Sequence, residues 1–84
     1  MDSFGENLKV LRKLNKLNQK EFAVKMGTTQ QRVSEWECNK VEPSLYNIIK
    51  IIKVLNTSFD ELTEGIEWLA KIKNLASFLF FTPI

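Results

Sequence analysis

Apolar residues recur at three- and four-residue intervals along every long segment of this chain, and nowhere do they alternate one by one. Such spacing lines one side of a helix, whereas alternation would line one face of a strand. A chain patterned this way buries a core by packing helices, and the expected class is all-α. Its 84 residues leave room for one modest core and not for two independent ones.

The first turns of the helices are marked in the sequence. Ser3 with Glu6, and Asn18 with Glu21, each fit the pattern in which an N-cap side chain and an acidic residue three positions later bond reciprocally to the helix start. The first helix carries Leu8, Leu11 and Leu14 on one side, and residues 15–18 connect it to a second whose inward residues are Phe22, Ala23 and Met26. Gly27 stops the second helix in the usual manner of a terminal glycine. Thr29 suits the N-cap of a third helix, about residues 30–38. Two short helices joined by a three- or four-residue turn containing glycine make a helix-turn-helix arrangement.

Beyond the loop that ends at Pro43, Ser44 caps a fourth helix with Leu45, Ile48, Ile52 and Leu55 as its stripe, and Ser58 caps a short fifth containing Phe59 and Leu62. In residues 66–84, Trp68, Leu69, Ile72, Leu75, Ala76, Leu79 and Phe80 fall within an arc of roughly 140° at helical pitch. This tail is expected to form a sixth, amphipathic helix, ended before Pro83 because proline breaks a helix interior.

Several classes of function are disfavoured by what the chain lacks. Its one cysteine, Cys38, has no internal disulfide partner, and without histidine no Cys/His metal cluster can form. No nucleophile and base stand together and no glycine-rich phosphate loop is present, so neither an enzyme nor a metal, cofactor or small-molecule site is expected. The stretch MDSFGENLKV has no basic and apolar leader pattern, and no apolar run approaches the roughly 20 residues that cross a bilayer. A cytoplasmic protein without a membrane partner is expected.

Charge is unevenly divided. Residues 1–40 hold eight Lys/Arg against five Asp/Glu, and residues 41–84 hold four against five. The basic excess lies in the half that contains the helix-turn-helix, as a face directed at a polyanion would require.

With Val33 and Trp36 turned inward, the third helix directs Gln31, Ser34, Glu35 and Cys38 outward, with Gln30 and Arg32 on the flanks near its start. Glutamine can pair bidentately with adenine N6 and N7 in a DNA major groove, and arginine with guanine or a phosphate. Gln30 and Gln31 are the candidate base-contacting residues on this chemistry, against the alternative of two merely solvated amides, and Ser34 and Glu35 share the outward side with Gln31. Gln19 opens the second helix, where free N–H groups and the positive dipole end favour a phosphate, and Lys20 adds charge. Thr29, Arg32 and Lys40 complete the expected phosphate contacts, which supply affinity without sequence information.

The run LKVLRKLNKLNQKEFAVKMGTTQQRVSEWECNKVEPSLYNIIKIIKVLNTSFDEL resembles the Cro/C1-type helix-turn-helix family, also called the XRE family, which includes the lambdoid phage repressors. The likeness spans about residues 4–62. LNQKEFA, the glycine turn, V-S-x-W-E, P-S-L and S-F-D-E-L occur in the family's order and spacing. It implies a five-helix lambda-repressor-like domain over residues 1–64, with Gln30, Gln31 and Glu35 at base-reading positions and Gln19 at a phosphate-contacting one. It also implies a structural ion pair between Arg12 and Glu37. Asn39 stands where the family commonly has glycine, and asparagine is the next most tolerant residue of a left-handed backbone. A carboxylate at Glu35 is repelled by phosphates unless it accepts from cytosine N4, or pairs with Arg32 or a neighbouring lysine.

Family members usually bind as two-fold dimers, which implies a homodimer on double-stranded DNA. Residues 65–84 are the candidate dimerisation element, through Trp68, Leu69, Ile72, Leu75 and Leu79 together with Phe78 and Phe81, whose rings fall outside the stripe. The alternative is that this helix packs on its own domain. The expected function is a sequence-specific transcription regulator, a repressor occupying a palindromic operator. The second expectation is an antitoxin or other protein-interaction module with secondary DNA binding.

Overall fold

The computed structural model describes residues 3–66. Apart from Ile66, the expected sixth helix, with all seven of its interface candidates, lies outside the described residues. Five helices follow one another: α1 (Phe4–Leu14), α2 (Gln19–Met26), α3 (Gln30–Glu37), α4 (Leu45–Val54) and α5 (Phe59–Leu62).

Each helix starts at a side-chain oxygen that takes one of the free N–H groups of its first turn. Ser3 Oγ accepts from Glu6 N–H, Thr29 Oγ1 from Arg32 N–H, Ser44 Oγ from Asn47 N–H and Ser58 Oγ from Glu61 N–H. At α2 the box is complete, for Asn18 Oδ1 accepts from Glu21 N–H while Glu21 Oε1 accepts from Asn18 N–H. Four helix ends share one device: the N–H two residues past the cap, or one past Gly27, reaches back five positions to a carbonyl. The bonds run from Leu17 to Arg12, Thr28 to Ala23, Lys40 to Glu35 and Thr57 to Ile52. That closure demands a left-handed residue just before the donor, and Lys16, Gly27, Asn39 and Asn56 supply it with φ of 60°, 69°, 60° and 50°.

One core joins the five helices: Leu8 of α1, Phe22, Ala23 and Met26 of α2, Val33 and Trp36 of α3, Ile51 and Leu55 at the end of α4, and Leu62 of α5. Two expectations about its membership need correction. Leu14 is 71% exposed, because the buried side of α1 is centred on Leu8 and Arg12, and Leu14 lies about 120° around the helix from Leu8. Leu45 is likewise 71% exposed, since Ile51 and not the edge of the Ile48 and Ile52 stripe faces the core. At the first turn of α4, Leu45 also lies at the end of the helix away from its buried centre.

Side chains absent from any apolar pattern tie α1 to the rest. Asn7 Nδ2 donates to the carbonyls of Leu62 and Glu64, both at 2.9 Å, and Asn15 Nδ2 donates to those of Leu11 and Leu55 at 2.9 and 3.1 Å. Asn39, beyond α3, accepts from Gly5 N–H at 2.9 Å and donates to Ser3 Oγ at 3.0 Å. Here α1 passes so near the end of α3 that a Cβ on Gly5 would overlap the Glu37 carbonyl and stand 2.8 Å from the Trp36 carbonyl oxygen. The first helix is thereby set directly on the third.

Candidate nucleic-acid interface

The orientation of α3 follows from its two apolar residues. Val33 and Trp36, three positions apart, are 0% and 1% exposed and fix which side of the helix faces the core. Gln30, Gln31 and Arg32 are exposed, Ser34 and Glu35 are half-buried, and Cys38 is exposed at the helix end. The wheel expectation therefore holds for the two glutamines, whose amide groups stand in solvent at the start of the helix. Arg32 Nε lies 3.7 Å from Glu35 Oε1, a loose and solvated pair that neutralises part of the carboxylate's charge.

Beside this end of α3 lies the start of α2. Gln19 is half-buried and Lys20 exposed, and the Gln30 amide nitrogen stands 3.5 Å from Gln19 Oε1. The capping box takes the N–H of Glu21, so the N–H groups of Gln19 and Lys20 remain without an intrahelical partner, as helix geometry requires. Thr29 and Lys40 are exposed on either side of α3. The structure thus brings Gln30 at the start of α3 to Gln19 at the start of α2, with Lys20 and Arg32 exposed next to them along their helices and Lys40 beyond the far end of α3.

Behind that surface sits the ion pair. Arg12 Nε donates to Glu37 Oε2 at 2.6 Å and Nη2 donates to Oε1 at 3.1 Å, both side chains being almost fully buried. Arg12 Nη1 donates to the Leu17 carbonyl at 2.7 Å, and Gln19 Nε2 donates to Glu37 Oε1 at 3.1 Å. One arginine and one glutamate therefore hold α1, the turn after it, α2 and α3 together. Sequence reading placed Arg12 opposite Glu37 but missed the bond from Gln19. Its only signal is that glutamine at the first position of α2 has a side chain long enough to reach the end of α3.

Among the described residues no group of acidic, cysteine or histidine side chains could hold a metal ion, and no helix is long and apolar enough to cross a membrane.

Comparison with known proteins agrees with this arrangement. The helix-turn-helix family model matches residues 8–62. The chain is 39% identical over 62 residues to the uncharacterized HTH-type transcriptional regulator YqaE of Bacillus subtilis, covering 74% of this chain and 53% of that protein. It is 36% identical over 62 residues to the SPbeta prophage-derived regulator YonR of the same organism, covering 74% and 57%. An HTH-type regulator of Haemophilus influenzae is 39% identical over 65 residues, 76% of this chain and 26% of that one. The chain thus spans about half the length, or less, of these relatives, all of which are named as transcriptional regulators and none as an enzyme. Among solved structures, the P22 c2 repressor in complex with synthetic operator 9T in the presence of Tl+ superposes with a TM-score of 0.71. It is 29% identical and covers 77% of this chain and 98% of its own.

Proposed function

The chain belongs to the helix-turn-helix family, and from that premise we propose that it is a sequence-specific DNA-binding regulator of transcription, with α3 as its recognition helix. The observation that carries this reading is the orientation of α3: Val33 and Trp36 are buried while Gln30 and Gln31 are exposed at its leading end. Glutamine there offers an acceptor and a donor to adenine N6 and N7. Ser34 and Glu35, one turn further on, take the next base edges. Gln19, Lys20, Thr29, Arg32 and Lys40 neutralise or bond the backbone phosphates and set the register. The named function of the regulators and the operator bound to the P22 c2 repressor support the same assignment.

The regulator acts as a repressor by occupying its operator. It binds as a homodimer whose two recognition helices meet half-sites about one helical turn, roughly 34 Å, apart. Residues 65–84 make the dimer contact through Trp68, Leu69, Ile72, Leu75, Phe78, Leu79 and Phe81. A chain ending near Gly65 is accordingly expected to sediment as a monomer where the full chain is dimeric; equal dimerisation would remove the tail from the interface. Selection from a random DNA pool at one fixed salt concentration tests the function itself. A palindrome with adenines at matched outer positions is the expected product, and a pool that gains no common sequence would count against base reading.

A further inference from the structure

Among the four helix ends that close through a left-handed residue, Lys16 is the one whose residue type argues against its backbone. The other three positions hold Gly27, Asn39 and Asn56, of the residue types that adopt this geometry at least cost, whereas Lys16 keeps φ of 60° with a full side chain. The turn fixes that geometry: Leu17 N–H reaches back to the Arg12 carbonyl, and Arg12, itself bound to Glu37, donates to the Leu17 carbonyl. Asn39 uses its side chain within the fold, on Gly5 and Ser3. Lys16 does not. Its side chain is exposed, and among the described residues it has no hydrogen-bond or ion-pair partner. A strained residue whose side chain ties nothing together points to a role outside the fold.

The surroundings give the chemistry of that role. Between Glu6 and Glu21 the chain carries Lys9, Arg12, Lys13, Lys16 and Lys20 and no acid. Arg12 is taken by Glu37, while Lys13, Lys16 and Lys20 are exposed. Lys16 N–H donates to the Lys13 carbonyl at 2.9 Å, so these two lysines share one turn, three residues before Gln19 opens α2. We propose that Lys16 is a further phosphate-binding residue, held by the α1–α2 turn against the DNA backbone beside the phosphate that Gln19 meets, and that its charge is kept there at a cost to the stability of the turn. The inference rests on the reading that α3 and the start of α2 face DNA. An ammonium group on a phosphate is a point charge, so the contact strengthens binding to every sequence and leaves base preference unchanged.

Three substitutions separate strain from charge. Lys16→Gly removes both, Lys16→Gln keeps the strained backbone and removes the charge, and Lys16→Arg keeps both. Thermal midpoints are read by circular dichroism, and affinities for the selected operator by fluorescence anisotropy over a series of salt concentrations. A second set of operators carries single neutral methylphosphonates in place of successive backbone phosphates. Lys16→Gly is expected to melt roughly 3–8 °C higher than the wild-type chain, because glycine adopts the left-handed backbone freely, while the glutamine and arginine variants melt with the wild type.

Lys16→Gly and Lys16→Gln are both expected to bind roughly five- to tenfold more weakly per bound chain at about 0.1 M salt, with the salt slope reduced by about 0.9 per chain, the value of one phosphate contact. Lys16→Arg binds as the wild type, and all three keep its base preferences. At one phosphate per half-site, the methylphosphonate weakens the wild-type chain and leaves Lys16→Gln unaffected. If the glycine and glutamine variants keep the wild-type affinity and slope while Gln30→Ala loses a base preference, the Lys16 contact is wrong and the recognition role of α3 stands. If they bind more weakly but no single phosphate distinguishes them from the wild type, the charge acts only at long range and the contact is again wrong. An unchanged melting temperature in Lys16→Gly would remove the strain from which the inference starts. A wild-type chain that prefers no sequence would overturn the DNA-reading role itself, and the Lys16 contact with it.

Discussion

Arg12→Ala is expected to destabilise the domain by about 3–5 kcal/mol in urea unfolding, the range for removing one partner of a buried ion pair. Most of that loss is the charge left behind. Glu37 is buried together with Arg12 and takes two of the arginine's three bonds, so alanine at position 12 strands a carboxylate that only Gln19 can still approach. The Leu17 carbonyl loses its donor as well, and with it a tie between α1 and the turn leading to α2. A domain of this size has a total stability of about 4–13 kcal/mol, so the substitution removes a large share of it. Replacing both partners together, Arg12→Met with Glu37→Leu, leaves no orphaned charge and is expected to be much milder than either single alanine substitution. A loss below about 1 kcal/mol for Arg12→Ala would mean that the pair is solvated in solution, since exposed pairs are worth that little.

Trp36→Ala is the second large effect, expected at about 3–5 kcal/mol, with the cavity adding to the lost burial. The indole is 1% exposed and sits among the residues of α1, α2, α4 and α5 that form the core, so its removal loosens α3 from the whole domain. Its Nε1 is also buried without a hydrogen-bond partner among the described residues. A buried donor left without a partner costs roughly 1–3 kcal/mol. Trp36→Phe removes the donor along with part of the ring, so its net cost is expected to be well under that of the alanine variant. Urea midpoints for the two variants at unchanged slope measure both effects; equal losses would contradict the offset.

The two variants probe features of unequal legibility in the sequence. Periodicity and caps located the helices, because serine, threonine and asparagine caps act within a few residues of themselves, and Gly27, Val33 and Trp36 carry local signals as strong. Leu14 and Leu45 were misassigned for the opposite reason. Several registers of an apolar stripe are compatible with α1 and α4, and only packing of α1 against α3 and α5, and of α4 against α2, decides that Arg12 and Ile51 take the buried side. The pairing of Arg12 with Glu37 was legible through resemblance and not through composition, which counts both as surface charges.

Least legible were the long-range polar bonds. Asn7, Asn15 and Asn39 look like ordinary helix-surface or turn residues, and their partners lie 55 to 57, 40 and 34 to 36 residues away for the bonds that cross the fold. Asn39 was expected for its tolerance of a left-handed backbone, and it has that backbone; its clamp on Gly5 and Ser3 had no sequence signal. The same holds for Gln19, whose link to Glu37 appears only once α2 and α3 are packed.

The central claim is that buried Val33 and Trp36 aim α3 so that the amides of Gln30 and Gln31 meet base edges. Its most direct measurement is the affinity of Gln30→Ala and Gln31→Ala, at one salt concentration, for the selected operator and for each single-base-pair variant of it. Each substitution is expected to remove about 1–3 kcal/mol of discrimination at one base pair per half-site while leaving binding to random DNA nearly unchanged. Uniform weakening on every sequence, with all base preferences intact, would show that these glutamines touch only the backbone, or nothing, and would contradict the claim.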